Sequence, residues 1–373
     1  MTHDPLPPPR RAASVRIRTP ARLHLGMVSF GVPGERAFGG VGVMIDRPGV
    51  HLTITRTPVA GQAAAAAGAA RITGSGPQAE RAVFFAESCA AAWGLAAAAC
   101  RIESIAVPAG HAGLGSGTQL ALAVAAGMQA LFGAARAEVS EPRRFTAAEA
   151  VMLARAVGRG RRSCVGVYGF SGGGLVVEGG RLVPAEGSTD DAHRGFSPLL
   201  ARVTLPPEWR CVVFGLRDVV GLHGDAEKQA FATLPPVPRD VSAELARIAL
   251  VSLLPAAVDG HFAEFAEAVF AYGRLAGKPF EQASAALPYA SSTSRLIDTL
   301  RGWGVRGCGQ SSWGPTVLAC CRSQGEADAL VSQFATTDLA GRYDAAVARF
   351  DTAGAVLTTE DAAADQARAT GSP

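Results

Sequence analysis

Residues His111 to Gln119 read HAGLGSGTQ, between an apolar, strand-like stretch, Ile102 to Val107, and an uncharged, helix-like stretch, Leu120 to Phe132. A strand that passes through a glycine turn into a helix is a place where an anion can sit. Gly113, Gly115 and Gly117 can take backbone angles closed to other residues and let the main chain come close to a ligand. The first N–H groups of the helix have no partner inside it, and the positive end of its dipole favours phosphate; Ser116 and Thr118 add hydroxyl donors. The same string also reads as ordinary αβ punctuation with Thr118 as N-cap, so by itself it leaves both readings open.

Composition narrows the classes. With 373 residues, 48% hydrophobic and 18% charged, the chain can bury a large core, and its length suits two domains. A net charge of +3 gives no broad attraction to nucleic acid or to an anionic membrane. Seven cysteines without a CxxC pair fit buried thiols in a reducing cytoplasm rather than disulfides or a zinc site. The proline-rich start, residues 1–13, reads as a disordered leader without the apolar core of a secretory signal. The uncharged window Ala112 to Ala135 begins as a loop and carries five glycines and two glutamines, which marks a buried core helix rather than a membrane span.

Alternation in Ser14 to Arg18 and Val50 to Arg56 predicts two early strands, and Gln78 to Leu95 and Thr146 to Arg159 predict helices. A polar, proline-broken stretch, Asp190 to Pro207, marks a domain junction. Domains are therefore expected over 14–195 and 205–350, with a strand at Cys211 to Leu216, helices near Ser242 to Ala256, His261 to Ala276 and Thr293 to Gly302, and a flexible tail over 351–373.

Five further segments carry chemistry-bearing residues. In PARLHLG (20–26) Arg22 and His24, two apart on an extended segment, project to one face. In RAFGGVGVMID (36–46) the pair Gly39 and Gly40 precedes an apolar strand. In RGRRS (159–163) three arginines stand within four residues and can hold carboxylate or phosphate bidentately; a solvated basic turn is the alternative. GLHGDAEK (221–228) sets Asp225 and Glu227 near His223, hard oxygen ligands suited to magnesium, or a plain charged loop. GCGQSSWGPT (307–316) offers Gln310, Ser311 and Ser312 to a sugar or phosphate, or a turn that packs Trp313.

These segments, in this order, resemble the GHMP superfamily of small-molecule kinases, which includes galactokinase, homoserine kinase and mevalonate kinase. PARLHLG is similar to its first motif, HAGLGSGTQLA to its phosphate loop and GCGQSSWGPT to its C-terminal glycine motif. Together with RGRRSCVGVYGFSGGGLVVEGG and GLHGDAEKQAF they resemble more narrowly a non-kinase branch, the β-ribofuranosylaminobenzene 5′-phosphate synthases. The resemblance implies an α+β, two-domain fold of mixed sheets with helices packed on them. It also implies a cytoplasmic enzyme, suggested by the family to be a homodimer, that transfers the phosphoribosyl group of 5-phosphoribosyl 1-diphosphate to 4-hydroxybenzoate or 4-aminobenzoate. CO2 and diphosphate leave, magnesium is the cofactor, and the product enters tetrahydromethanopterin biosynthesis.

On that pattern Gly113, Leu114, Gly115, Ser116, Gly117, Thr118 and Gln119 cradle the diphosphate, with Gly39, Gly40, Ser163, Gln310, Ser311 and Ser312 as further substrate contacts. Asp225 and Glu227 are assigned to the metal, Arg22, Arg161 and Arg162 to the anionic groups, and His24 or His111 to a proton of the acceptor. The kinases carry a serine–glycine–aspartate segment whose aspartate acts on the acceptor hydroxyl. Here Ser163 is followed by Cys164, Val165 and Gly166, so that carboxylate is missing. The alternatives left open are an ATP-dependent kinase of the superfamily and a non-catalytic protein that binds phosphoribosyl diphosphate.

Overall fold

A computed structural model describes residues 12–32, 35–57, 72–95, 98–133, 141–182, 195–217, 234–281, 289–312 and 314–360. The first half runs β1 (Ser14–Met27), β2 (Arg36–Ala37), β3 (Gly40–Arg56), β4 (Ile72–Ser75), α1 (Ala79–Ala92), β5 (Cys100–Ala106), α2 (Ser116–Phe132), α3 (Ala147–Ala156), α4 (Val165–Gly172), β6 (Leu175–Glu178), β7 (Arg181–Leu182) and β8 (Leu199–Val203). The second runs β9 (Arg210–Leu216), α5 (Arg239–Arg247), α6 (Leu254–Asp259), α7 (Phe262–Gly277), α8 (Ala290–Gly302), β10 (Cys308–Gln310), β11 (Val317–Cys321), α9 (Gln324–Ala335), β12 (Tyr343–Arg349) and β13 (Val356–Glu360).

The architecture is α+β. A seven-stranded, mostly antiparallel sheet is ordered β13-β1-β3-β5-β4, with β6 and then β8 added beside the first half of β3; among the described strands only β4 and β5 pair in parallel. A four-stranded antiparallel sheet, β10-β11-β9-β12, forms the second layer. The early strands are longer than their alternation predicts, because β1 continues through PARLHLG and β3 begins inside GGVGVMID, and the two pair from Ser14 to Met27. A register shift between His24 and Gly26 locally re-aims β1.

The uncharged helix α2 lies across this sheet with thirteen buried residues, which is why it tolerates no charge. Gly127 lets it settle: a Cβ there would lie 2.6 Å from Cδ1 of Ile54 on β3. Thr146 and Glu149 form a reciprocal capping box that starts α3. Residues 239–259 form one helical run, with π-helical turns over Ile248–Leu253 just before Pro255, whose missing N–H cannot bond one turn back. By length and composition this run alone among the described residues could cross a membrane, although Leu245, Ile248, Leu253 and Ala256 bury one side of it in the core. All seven cysteines are buried free thiols, and burial pushes Cys89 and Cys164 up to about 12.

The expected domain limits need correcting at two places. Leu199–Val203 lies in the supposed junction, yet it pairs with β6 and extends the first sheet. The supposed tail contributes β13, which pairs with β1 from Ser14↔Glu360 to Arg18↔Val356, so both ends of the described chain build one sheet. A period-two pattern as short as VLTTE carries too little signal to reveal a partner more than three hundred residues away.

Candidate active site

Three of the sequence motifs are stitched together by backbone. The Arg22 amide donates to the Leu114 carbonyl at 2.9 Å, and the Ser312 amide to the His24 carbonyl at 3.0 Å. Ser311 joins all three, since its hydroxyl accepts from the His24 amide (2.9 Å) and donates to the Gly113 carbonyl (2.7 Å). Gly113 and Gly115 have φ of 90° and 66°, so the loop uses the left-handed freedom that glycine supplies, and Gly115 caps α2. That freedom is matched by close neighbours. A Cβ on Gly113 would lie 2.5 Å from the Ser311 carbonyl, and one on Gly115 would lie 2.9 Å from Nε of Arg22.

Beside this junction opens a cleft of about 1180 Å³ between the 158–163 turn, the start of α4, and the α7, α8 and β10 side of the second layer. Five arginines line it, Arg22, Arg159, Arg161, Arg162 and Arg274, against two carboxylates, Glu281 and Asp298. The lining thus carries a local excess of positive charge on a chain whose net charge is only +3. The cleft also presents Thr118, Ser163, Gly166, Gln310 and Ser312.

His24 lines the cleft and is buried; desolvation first, and the Arg22 charge second, pull its imidazole down to about 3. It is neutral at physiological pH, and its Nε2 is buried with no hydrogen-bond partner among the described residues. A neutral ring with one unused nitrogen suits a bound hydroxyl better than it suits an anion.

Several sequence assignments change. His111 is exposed, in left-handed backbone (φ 63°), and lies outside the cleft lining. Gly39 and Gly40 pack against backbone: a Cβ on Gly39 would lie 2.8 Å from the Gly180 nitrogen in the β6–β7 turn, and one on Gly40 2.5 Å from the Gly26 carbonyl of β1. Gly117 has helical rather than left-handed backbone, in the first turn of α2. Ser116 turns its hydroxyl to the Ala109 carbonyl at 3.2 Å, Gln119 donates from Nε2 to the Gly166 carbonyl at 2.8 Å, and Ser311 is fully buried. These three side chains build the loop, and among the loop's hydroxyls Thr118 lines the cleft. Polar residues in a tight turn satisfy buried backbone before they serve a ligand, and a linear motif does not say which. Asp225 and Glu227, like His223 and Trp313, lie outside the described residues.

The sequence reading missed Glu178. It is buried on β6 and accepts from the Ser163 hydroxyl (2.6 Å) and the Cys164 amide (2.7 Å), so it anchors the start of α4 behind the cleft wall. Burial pushes its carboxyl above the usual range, partly offset by these donors. At Gly166 the nearest atoms to a Cβ would be Thr118 Cγ2 at 3.5 Å and Gln119 Nε2 at 3.6 Å, so among the described residues no carboxylate stands against this position. The described residues contain no group of three His, Cys, Asp or Glu that would hold a metal by protein ligands alone.

No family model matches the chain. Its fold is that of the GHMP-type small-molecule kinases. It superposes on homoserine kinase from Cytophaga hutchinsonii with a TM-score of 0.57 at 15% identity, covering 96% of this chain and 99% of that one. On mevalonate pyrophosphate decarboxylase from Streptococcus pyogenes the TM-score is 0.61 at 11% identity, with 92% and 98% covered. The sequence relatives are narrower in kind. The chain is 29% identical over 309 residues to the beta-ribofuranosylphenol 5′-phosphate synthase of Archaeoglobus fulgidus, spanning 82% of this chain and 87% of that protein. It is 32% identical over 217 residues to the protein of the same name from Methanothermobacter thermautotrophicus, spanning 56% and 60%. The chain is thus a homologue of these synthases, built on a kinase fold.

Proposed function

We propose that this enzyme is a pentosyltransferase that joins the phosphoribosyl group of 5-phosphoribosyl 1-diphosphate to 4-hydroxybenzoate, releasing CO2 and diphosphate. The observation that carries the reading is a five-arginine cleft with no carboxylate at Gly166. Phosphoryl transfer to a hydroxyl in this superfamily calls for a base at that place, whereas attack by an aromatic carbon does not. The relatives' name, a ribofuranosylphenol phosphate, favours the hydroxy over the amino acceptor.

The bond between ribose C1 and the diphosphate oxygen breaks with its electron pair leaving on diphosphate. The ring carbon that bears the carboxylate attacks C1. Its bond to the carboxylate then breaks, CO2 departs, and the electron pair restores the aromatic ring. The cleft arginines, Thr118 and the first-turn amides of α2 stabilise charge as it grows on the leaving group. The unused nitrogen of His24 takes a hydrogen bond from the 4-hydroxyl, or its proton, while the ring donates electrons. Holding both substrates together removes the orientational cost of a bimolecular step.

Asp225 and Glu227 would hold a magnesium ion, which would neutralise charge on the leaving diphosphate. One or two carboxylates and phosphate oxygens suffice for that ion. We also place the enzyme in the cytoplasm, with small-molecule partners rather than nucleic acid or membrane, and as a homodimer; buried free thiols support the reducing compartment. The test is incubation of the purified protein with magnesium, phosphoribosyl diphosphate and carboxyl-labelled 4-hydroxybenzoate. Labelled CO2 released in step with diphosphate is expected; ATP-dependent phosphorylation of a metabolite without CO2 would sink the reading.

A further inference from the structure

Arg81 stands on α1, outside every motif described above, yet its guanidinium sits in the crook of the glycine loop. Its Nη1 is 3.3 Å from where a Cβ on Gly110 would be, and its Nη2 is 2.7 Å from where one on Gly117 would be. Nη2 of Arg159, from the cleft-lining turn, lies 3.7 Å from that same Gly117 position. Two guanidinium groups thus close on one point of the first turn of α2.

Both are held there. Gln78, the left-handed residue that precedes α1, accepts from Arg81 Nη1 at 2.6 Å and donates from its own amide to the Pro108 carbonyl at 2.8 Å, tying Arg81 to the entrance of the loop. Arg159 lies over the Phe85 ring at 4.9 Å. Neither arginine makes an ion pair with a described carboxylate, although both are partly buried. Burial first, and the Arg81 charge second, pull Arg159 down to about 10. Like charges fixed side by side repel, and a multiply charged anion bound between them relieves that repulsion.

We propose that Arg81 and Arg159 form a two-guanidinium subsite over Gly117 that binds the diphosphate of the activated ribose. The inference rests on the reading above that the substrate carries a diphosphate. Each guanidinium can offer two parallel N–H donors to phosphate oxygens, and both stand against the first turn of α2, the positive end of its dipole. Because negative charge on the diphosphate grows as the C1–O bond breaks, the pair holds the leaving group more tightly than the ground state.

The test is calorimetric and needs no turnover. Inorganic diphosphate with magnesium, and separately ribose 5-phosphate, are titrated into the wild type, Arg81→Gln and Arg81→Lys, with thermal unfolding run on each. Arg81→Gln is expected to weaken diphosphate binding by about tenfold or more, the scale of one charge-assisted pair, and to leave ribose 5-phosphate within about twofold; Arg81→Lys should fall between. Unchanged or tighter diphosphate binding by Arg81→Gln, an equal loss of both ligands, loss of ribose 5-phosphate alone, or no diphosphate binding by the wild type would each overturn the proposal. If CO2 release from 4-hydroxybenzoate fails while Arg81→Gln still loses diphosphate, the reaction is wrong and the subsite stands.

Discussion

Ser311 donates its hydroxyl proton to the Gly113 carbonyl at 2.7 Å across 198 positions of sequence, and the same oxygen accepts from the His24 amide. One fully buried hydroxyl therefore sets the distance between the first strand, the 113–115 glycine loop and the C-terminal glycine loop. Ser311→Ala leaves a buried N–H and a buried C=O without this partner. It should destabilise the protein by about 1–3 kcal/mol in urea unfolding and lower kcat more than it raises KM. Full stability would show that the oxygen is not a required link.

Gly115 has φ of 66° and carries Arg22 directly above its α-carbon. Gly115→Val adds a branched side chain in left-handed backbone, a strain of about 1–2 kcal/mol or more, and pushes Arg22 off the loop. Calorimetry should find phosphoribosyl diphosphate binding abolished. Normal binding would place the diphosphate elsewhere.

His24 makes stability fall in acid. Its folded pKa, about 3, lies below the ordinary 6.5, so between those values the unfolded chain holds the proton and the folded chain does not. Stability is thus fully present above pH 6.5 and is lost as pH falls towards 3. Between pH 7 and pH 4.5 the His24 share of the loss should be on the order of 2 kcal/mol, and urea midpoints of His24→Gln should drop by correspondingly less than those of the wild type. Parallel pH profiles would rule out a buried neutral imidazole.

Arg161 is exposed at the cleft, so Arg161→Ala should change stability by no more than about 0.5 kcal/mol. Its effect should appear in KM, raised several-fold for one substrate. The substrate affected identifies the anionic group it meets, and unchanged KM for both would remove it from the site.

Asp225→Asn should raise the magnesium concentration needed for half-maximal activity, on the view that one carboxylate of a sparse magnesium site has been neutralised. A magnesium titration that superposes on the wild type would take Asp225 out of the metal site.

Much of this was legible in the chain. The glycine loop between β5 and α2, the uncharged core helix, and Arg22 and His24 on one strand all follow from neighbours in sequence, where periodicity and turn chemistry act over a few residues. The site was less legible, because Ser116, Gln119 and Ser311 look like ligand donors in a string and prove to be spent on buried backbone.

HAGLGSGTQ and the order of the motifs determine by themselves a kinase-like fold with a glycine loop between a strand and a helix. Only the tertiary structure decides that Arg81 reaches into the loop, that Glu178 anchors the turn behind the cleft, and that β13 closes the first sheet. Local conformation is written in adjacent residues. These three relationships depend on how separate elements pack, and packing brings together side chains that no short-range pattern connects.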